Sequence, residues 1–118
     1  MTIIYAFYAP VNADTEIYNT QTWSTDRTIT ADVIVKNGGL LRITAGVVLK
    51  FANNKSGSLP YPKIDIRVEN GGTLEILGES FKKVYLQPDS DWTEGSWQGI
   101  VLEPGARATI KNARIYKP

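Results

Sequence analysis

Neither cysteine nor histidine occurs among the 118 residues. Without cysteine there is no disulfide frame, no thiolate nucleophile and no Cys-ligated zinc. Without histidine, Ser-His-Asp and Cys-His triads, His-ligated metal and the side chain that titrates nearest neutrality are all excluded. An excess of one charge is missing too: thirteen Lys/Arg stand against twelve Asp/Glu, a net charge of +1. No basic run is long enough to track a phosphate backbone, so nucleic acid is not an expected partner. The apolar opening "MTIIYAFYAP" lacks the basic n-region of a signal peptide, and Pro10 comes too early for a membrane helix. No membrane insertion and no signal peptide are expected, and the compartment stays open.

Helical periodicity is scarce as well, whereas Val, Ile, Thr and Tyr are abundant and sit in short alternating runs. Asn-Gly-Gly, Ala-Gly and Pro-Gly punctuate those runs as turns. The length fits one domain, 1–118, of all-β class. Superposing the runs exposes a repeat: "VKNGGLLRI" (35–43), "VENGGTLEI" (68–76) and "LEPGARATI" (102–110). Val35, Leu41 and Ile43 match Val68, Leu74 and Ile76, then Leu102, Ala108 and Ile110, with copies offset by 33 and 34 residues. A further apolar run follows each copy, "GVVLKF", "KKVYLQ" and "ARIY", so one repeat holds three strands. The expectation is a short right-handed parallel β-helix of about three turns over 23–118, with residues 1–22 as an N-terminal strand or cap and loop insertions at 52–63 and 87–96.

In such a coil the apolar member of each alternating pair points inward and stacks on its equivalent one turn away. The expected interior layers are Val35, Leu41, Ile43, Val47, Leu49 and Phe51; then Ile66, Val68, Leu74, Ile76, Val84 and Leu86; then Ile100, Leu102, Ala108, Ile110 and Ile115. Glycines 38, 39, 71, 72 and 105 are placed at bends, where positive φ is cheap only without a Cβ. The same register makes Arg42 and Glu75, and Lys36 and Glu69, outward lateral neighbours.

The template "VKNGGLLRITAGVVLKF", together with the W-x-G-I step of Trp97, Gly99 and Ile100, resembles right-handed parallel β-helix domains of the pectin-lyase-like type, closest to those of bacterial surface proteins. The resemblance covers Thr22 to Tyr116. It implies a fold, and a cell-surface or secreted setting, rather than a reaction, because that family hosts polysaccharide lyases and hydrolases beside adhesive and scaffolding domains. No catalytic residue of the family maps onto this chain, and no cofactor is implied.

"DSDWTEGSWQGI" (89–100) is the one stretch where chemistry clusters. Asp89, Asp91 and Glu94 offer oxygen ligands at short spacing, but the remaining ligands of an EF-hand loop are absent, so no metal site is assigned. Carbohydrate contact through Trp92, with Tyr61 or Tyr85 and the acids as hydrogen-bond acceptors, is the ligand-binding alternative to a plain solvated loop. The 52–65 stretch, "ANNKSGSLPYPKID", reads as a loop, and its "NKS" fits a glycosylation acceptor that short sequences produce by chance. Asp26, Asp32 and Asp65 flank strands and read as turn-formers or solvated groups. No pair of carboxylates stands out for glycoside hydrolysis.

A coil of few turns leaves an apolar cross-section and open strand edges at its ends. The terminal "KNARIYKP" follows a coil strand directly. The expectation is a non-catalytic structural or protein-interaction module. Its exposed strand edges meet a protein partner or a second copy, unless the chain is part of a longer surface β-helix. A carbohydrate-binding or polysaccharide-processing protein is the alternative.

Overall fold

The computed structural model describes residues 14–53, 63–90, 92, 95–116 and 118. Twelve short strands and no helix are found there: β1 (Thr15–Ile17), β2 (Thr20–Trp23), β3 (Arg27–Ile29), β4 (Val33–Val35), β5 (Leu40–Thr44), β6 (Val48–Phe51), β7 (Asp65–Val68), β8 (Thr73–Leu77), β9 (Val84–Pro88), β10 (Gly99–Leu102), β11 (Arg107–Lys111) and β12 (Ala113–Ile115). They form three four-stranded sheets, β1-β4-β7-β10, β2-β5-β8-β11 and β3-β6-β9-β12, paired in parallel throughout. The chain therefore visits the sheets in one cyclic order four times, an all-β arrangement compatible with a short solenoid.

Register follows the alternation in the sequence. Ile17 pairs with Val35, Val35 with Val68 and Val68 with Leu102; in the second sheet Trp23, Ile43, Ile76 and Ile110 make the equivalent column. Because period two sends every second side chain to the same face, one in-register column buries its whole apolar set together. All twelve residues expected in the first two interior layers are buried, joined by Ile17, Trp23, Ile29, Ile64 and Trp97. Fully burying one such Leu or Ile contributes about 1.5–3 kcal/mol.

There are four layers instead of three. The first, β1 to β3, reads TEI, TQTW and RTI, so polar residues dilute the alternation that marks the later copies. β1 and most of β2 fall inside 1–22, where they pair with β4 and β5 as strands of the stack. At the other end the expected interior of the last layer is corrected: Leu102, Ile110 and Ile115 are 49%, 45% and 38% exposed. Their inward direction is right, but among the described residues no strand stacks on top of them.

Two glycines show distinct reasons for the turn sequence. Gly105 has φ +86°, left-handed backbone that a Cβ disfavours. Gly72, like Gly39, does not have positive φ, contrary to expectation. A Cβ there would lie 2.7 Å from the Val35 carbonyl oxygen, so glycine permits the close approach of the turn beneath.

The aspartates flanking the strands also differ from a solvated reading. Asp14 Oδ1 accepts the Asp32 N–H at 3.1 Å, and Asp32 Oδ1 accepts the Asp65 N–H at 2.9 Å, so carboxylates bridge successive layers of the first sheet. Asp26 does the same for the Val48 N–H at 2.8 Å. Asp32 and Asp65 are buried, whereas Asp26 is exposed.

Candidate functional site

The stretch 89–100 divides into scaffold and surface. Trp97 is buried, stacks on Phe51 with ring centroids 4.0 Å apart, and donates its indole N–H to the Tyr116 carbonyl at 2.7 Å. A flat aromatic with one polar handle suits that place, where it closes the bend into β10 and ties it to the end of β12. The W-x-G-I step is therefore structural.

Trp92 remains on the surface, 45% exposed, with its ring 5.6 Å from that of Tyr116. Tyr116 in turn lies parallel to Tyr85 at 6.5 Å. These contacts bring Trp92 and Tyr85 into one outward aromatic group through Tyr116, a residue that sequence reasoning did not single out. Alternation alone gives Tyr85, between Val84 and Leu86, and Tyr116, after Ile115, outward positions on the third sheet. Bringing them together takes the register that the Tyr116 N–H sets by bonding the Leu86 carbonyl at 2.8 Å. Asp89 is exposed and fixed by its N–H to the Phe51 carbonyl at 2.8 Å. Tyr61, Asp91 and Glu94 lie outside the described residues, as does "NKS".

Among the described residues no group of three Asp or Glu side chains is disposed to hold a metal ion. The concavities are shallow in chemistry. One of about 350 Å³ is lined by Thr15, Trp23, Arg27, Ile29 and Ala31 with their neighbouring threonines, and among the described residues Arg27 is its one charged group, stacked 4.2 Å over the Trp23 ring. Another of about 290 Å³ follows the turn glycines to Arg107, and a third of about 140 Å³ holds Asp26, Arg27 and Lys50. None of them places two carboxylates face to face.

Asp65 is the described carboxylate most altered by its surroundings. Burial raises its pKa, the neighbouring Asp32 carboxylate adds to that, and the Arg67 guanidinium, 3.0 Å from Oδ2, pulls the other way. Its Oδ1 is buried and accepts no hydrogen bond. This group lies at the start of β7 between backbone layers, away from the aromatic group on the third sheet.

The fourth layer carries three of the exposed large apolar side chains found among the described residues. Leu102, Ile110 and Ile115 form its half-open apolar floor, with Ile100, Ala106, Ala108 and Ala113 packed beside the core. Arg107, Lys111 and Arg114 are exposed along its rim. A separate apolar point, Phe81, stands fully exposed at the tip of a tight turn closed by reciprocal Glu79 and Lys82 backbone hydrogen bonds of 3.0 and 3.1 Å.

Comparison with models of protein families, with curated proteins and with solved structures found no match for this chain.

Proposed function

We propose that this chain is a short right-handed parallel β-helix of the pectin-lyase-like type that works as a non-catalytic structural and protein-interaction module, its open fourth layer serving as the docking end. Handedness rests on a general rule: strand–crossover–parallel strand connections within one sheet are nearly always right-handed. The pectin-lyase-like assignment rests on the W-x-G-I step and the turn template, and with it goes a bacterial surface setting.

One observation carries the docking role. In the column Ile17, Val35, Val68 and Leu102 the first three side chains are fully buried, while Leu102 is 49% exposed beside Ile110 and Ile115. An apolar floor bordered by parallel strand edges is a template for adding another strand, the mode in which main-chain hydrogen bonds supply affinity and alternate side chains supply fit. An NMR titration with a neutral extended peptide carrying Thr-Leu-Thr-Ile-Thr tests it. Amide shifts confined to the fourth layer, lost in Ile110→Lys, are expected; shifts elsewhere, or none, count against the docking end.

A second reading is favoured by the aromatic group. Trp92, Tyr116 and Tyr85 offer flat apolar faces with polar rims, the surface that sugar rings stack on. Trp92→Ala then lowers retention on a soluble polysaccharide; unchanged retention removes this reading. Release of reducing ends from pectin or alginate would move the protein to the polysaccharide-processing class.

A further inference from the structure

We infer that β11 docks an acidic partner strand, an extended segment reading acid, apolar, polar, apolar, acid, added in parallel along Arg107 to Lys111. The inference rests on the fourth layer being the docking end and names the chemistry of what it takes.

Among the fourth-layer strands, β11 is the one best placed to receive a neighbour. It pairs with β8 over all five residues on one edge, and among the described residues no strand pairs with its other edge. Pro118 lies against Gly99 at the start of β10, where a Cβ on the glycine would come within 2.9 Å of it, and β12 is only three residues long. Along β11, Ala108 and Ile110 continue the inward columns of Leu74 and Ile76, so an added strand would set apolar side chains over those two.

The outward positions fix the charge. Lower in the stack, cations meet acids between layers: Arg42 reaches Glu75 at 2.8 Å, and Lys36 sits between Glu16 at 3.5 Å and Glu69 at 3.0 Å. Arg107 stands over Thr73 and Lys111 over Leu77, both neutral. Neither cation has an acid directly beneath it, so an added strand can offer each one from the open side, at its first and fifth positions. Thr109 between them stands over Glu75, which Arg42 already holds.

A second copy matches this pattern poorly. End-to-end pairing of two fourth layers brings Arg107 and Lys111 toward their own counterparts. Head-to-tail stacking offers β2, whose outward residues include Thr20 and Thr22 and no acid, and whose Trp23 is already buried. A separate chain with acids at both ends of the strand fits better.

The test compares three peptides by NMR titration of the full chain at low salt, carrying Glu-Leu-Thr-Ile-Glu, Thr-Leu-Thr-Ile-Thr or Lys-Leu-Thr-Ile-Lys. Two exposed ion pairs give the acidic peptide an advantage of about three- to tenfold over the neutral one, shrinking as salt rises. Arg107→Gln with Lys111→Gln erases that advantage and leaves neutral binding intact. Equal binding of acidic and neutral peptides overturns the charge inference while the docking end stands. The charge inference falls likewise if the cations only guard the edge, so that the double Gln variant self-associates and wild type shows no acid preference. A concentration-dependent dimer in sedimentation that excludes all three peptides also overturns the inference in favour of a second copy. Failure of every peptide with a strictly monomeric chain removes the docking end itself.

Discussion

Arg42 Nε lies 2.8 Å from Glu75 Oε1, although 33 residues separate them in the chain. The pair joins adjacent layers of the second sheet on its outward face and reports the register of β5 on β8 directly. Both side chains are partly exposed, so the attraction is screened. A double-mutant cycle with Arg42→Ala and Glu75→Ala, followed by urea denaturation, should return a coupling below about 1 kcal/mol that fades with salt. A much larger coupling would mean that the pair is buried by something other than these sheets.

The columns carry the stability. Leu74 is fully buried between Leu41 and Ala108, and its truncation to Ala should cost about 2–5 kcal/mol. Ile110→Ala, one layer further on and 45% exposed, should cost under about 1 kcal/mol. Urea midpoints for the two variants check the contrast, and equal losses would show that the fourth layer is covered.

Turn glycines should respond by mechanism. Gly72→Ala forces a Cβ toward the Val35 carbonyl oxygen, a backbone atom of the neighbouring layer that cannot swing aside. Gly105→Ala meets positive φ, worth about 1–2 kcal/mol, and the Asn70 side-chain oxygen, which can rotate away. Gly105→Ala with Asn70→Ala should therefore recover part of its loss, whereas Gly72→Ala has no such side-chain rescue. Thermal melts of the three variants decide this.

Much of this stack was legible in the sequence, and the illegible parts have physical reasons. The 33- and 34-residue spacing of Val35, Val68 and Leu102 gave register, because period-two alternation leaves no freedom to slip by one residue without turning the core outward. The first layer escaped notice because Gln21 and Arg27 stand in register with Leu41 and Leu49 and break the apolar repeat. Exposure of Ile110 depends on what lies above it, which its own alternation does not encode. At the candidate site, Trp92 and Tyr85 were readable as aromatics, but their union needed Tyr116, whose role follows from register instead of spacing. Nor did the aspartate bridges from Asp14 to Asp32 to Asp65 show in sequence, since they need layers brought together by the fold.

Asp65 makes stability depend on pH in a definite direction. Burial first, and the Asp32 carboxylate second, raise its pKa in the folded chain above the usual value of about 3.9, with Arg67 opposing. The folded state then holds the proton to higher pH than the unfolded chain does. The contribution favours folding at low pH and is lost as pH rises from the unfolded value to the folded one. Asp65→Asn removes that dependence, so wild-type stability measured against this variant by urea denaturation should decline across the acid range. A flat or rising difference would assign the dominant influence to Arg67.

Methyl NOE spectroscopy on the intact chain tests the central relationship most directly. Val68 methyls should show strong cross-peaks to those of both Val35 and Leu102, while Val35 and Leu102, two layers apart, show none. Cross-peaks from Val68 to neither residue, or a direct contact between Val35 and Leu102, would contradict the stacked columns and the open end built on them.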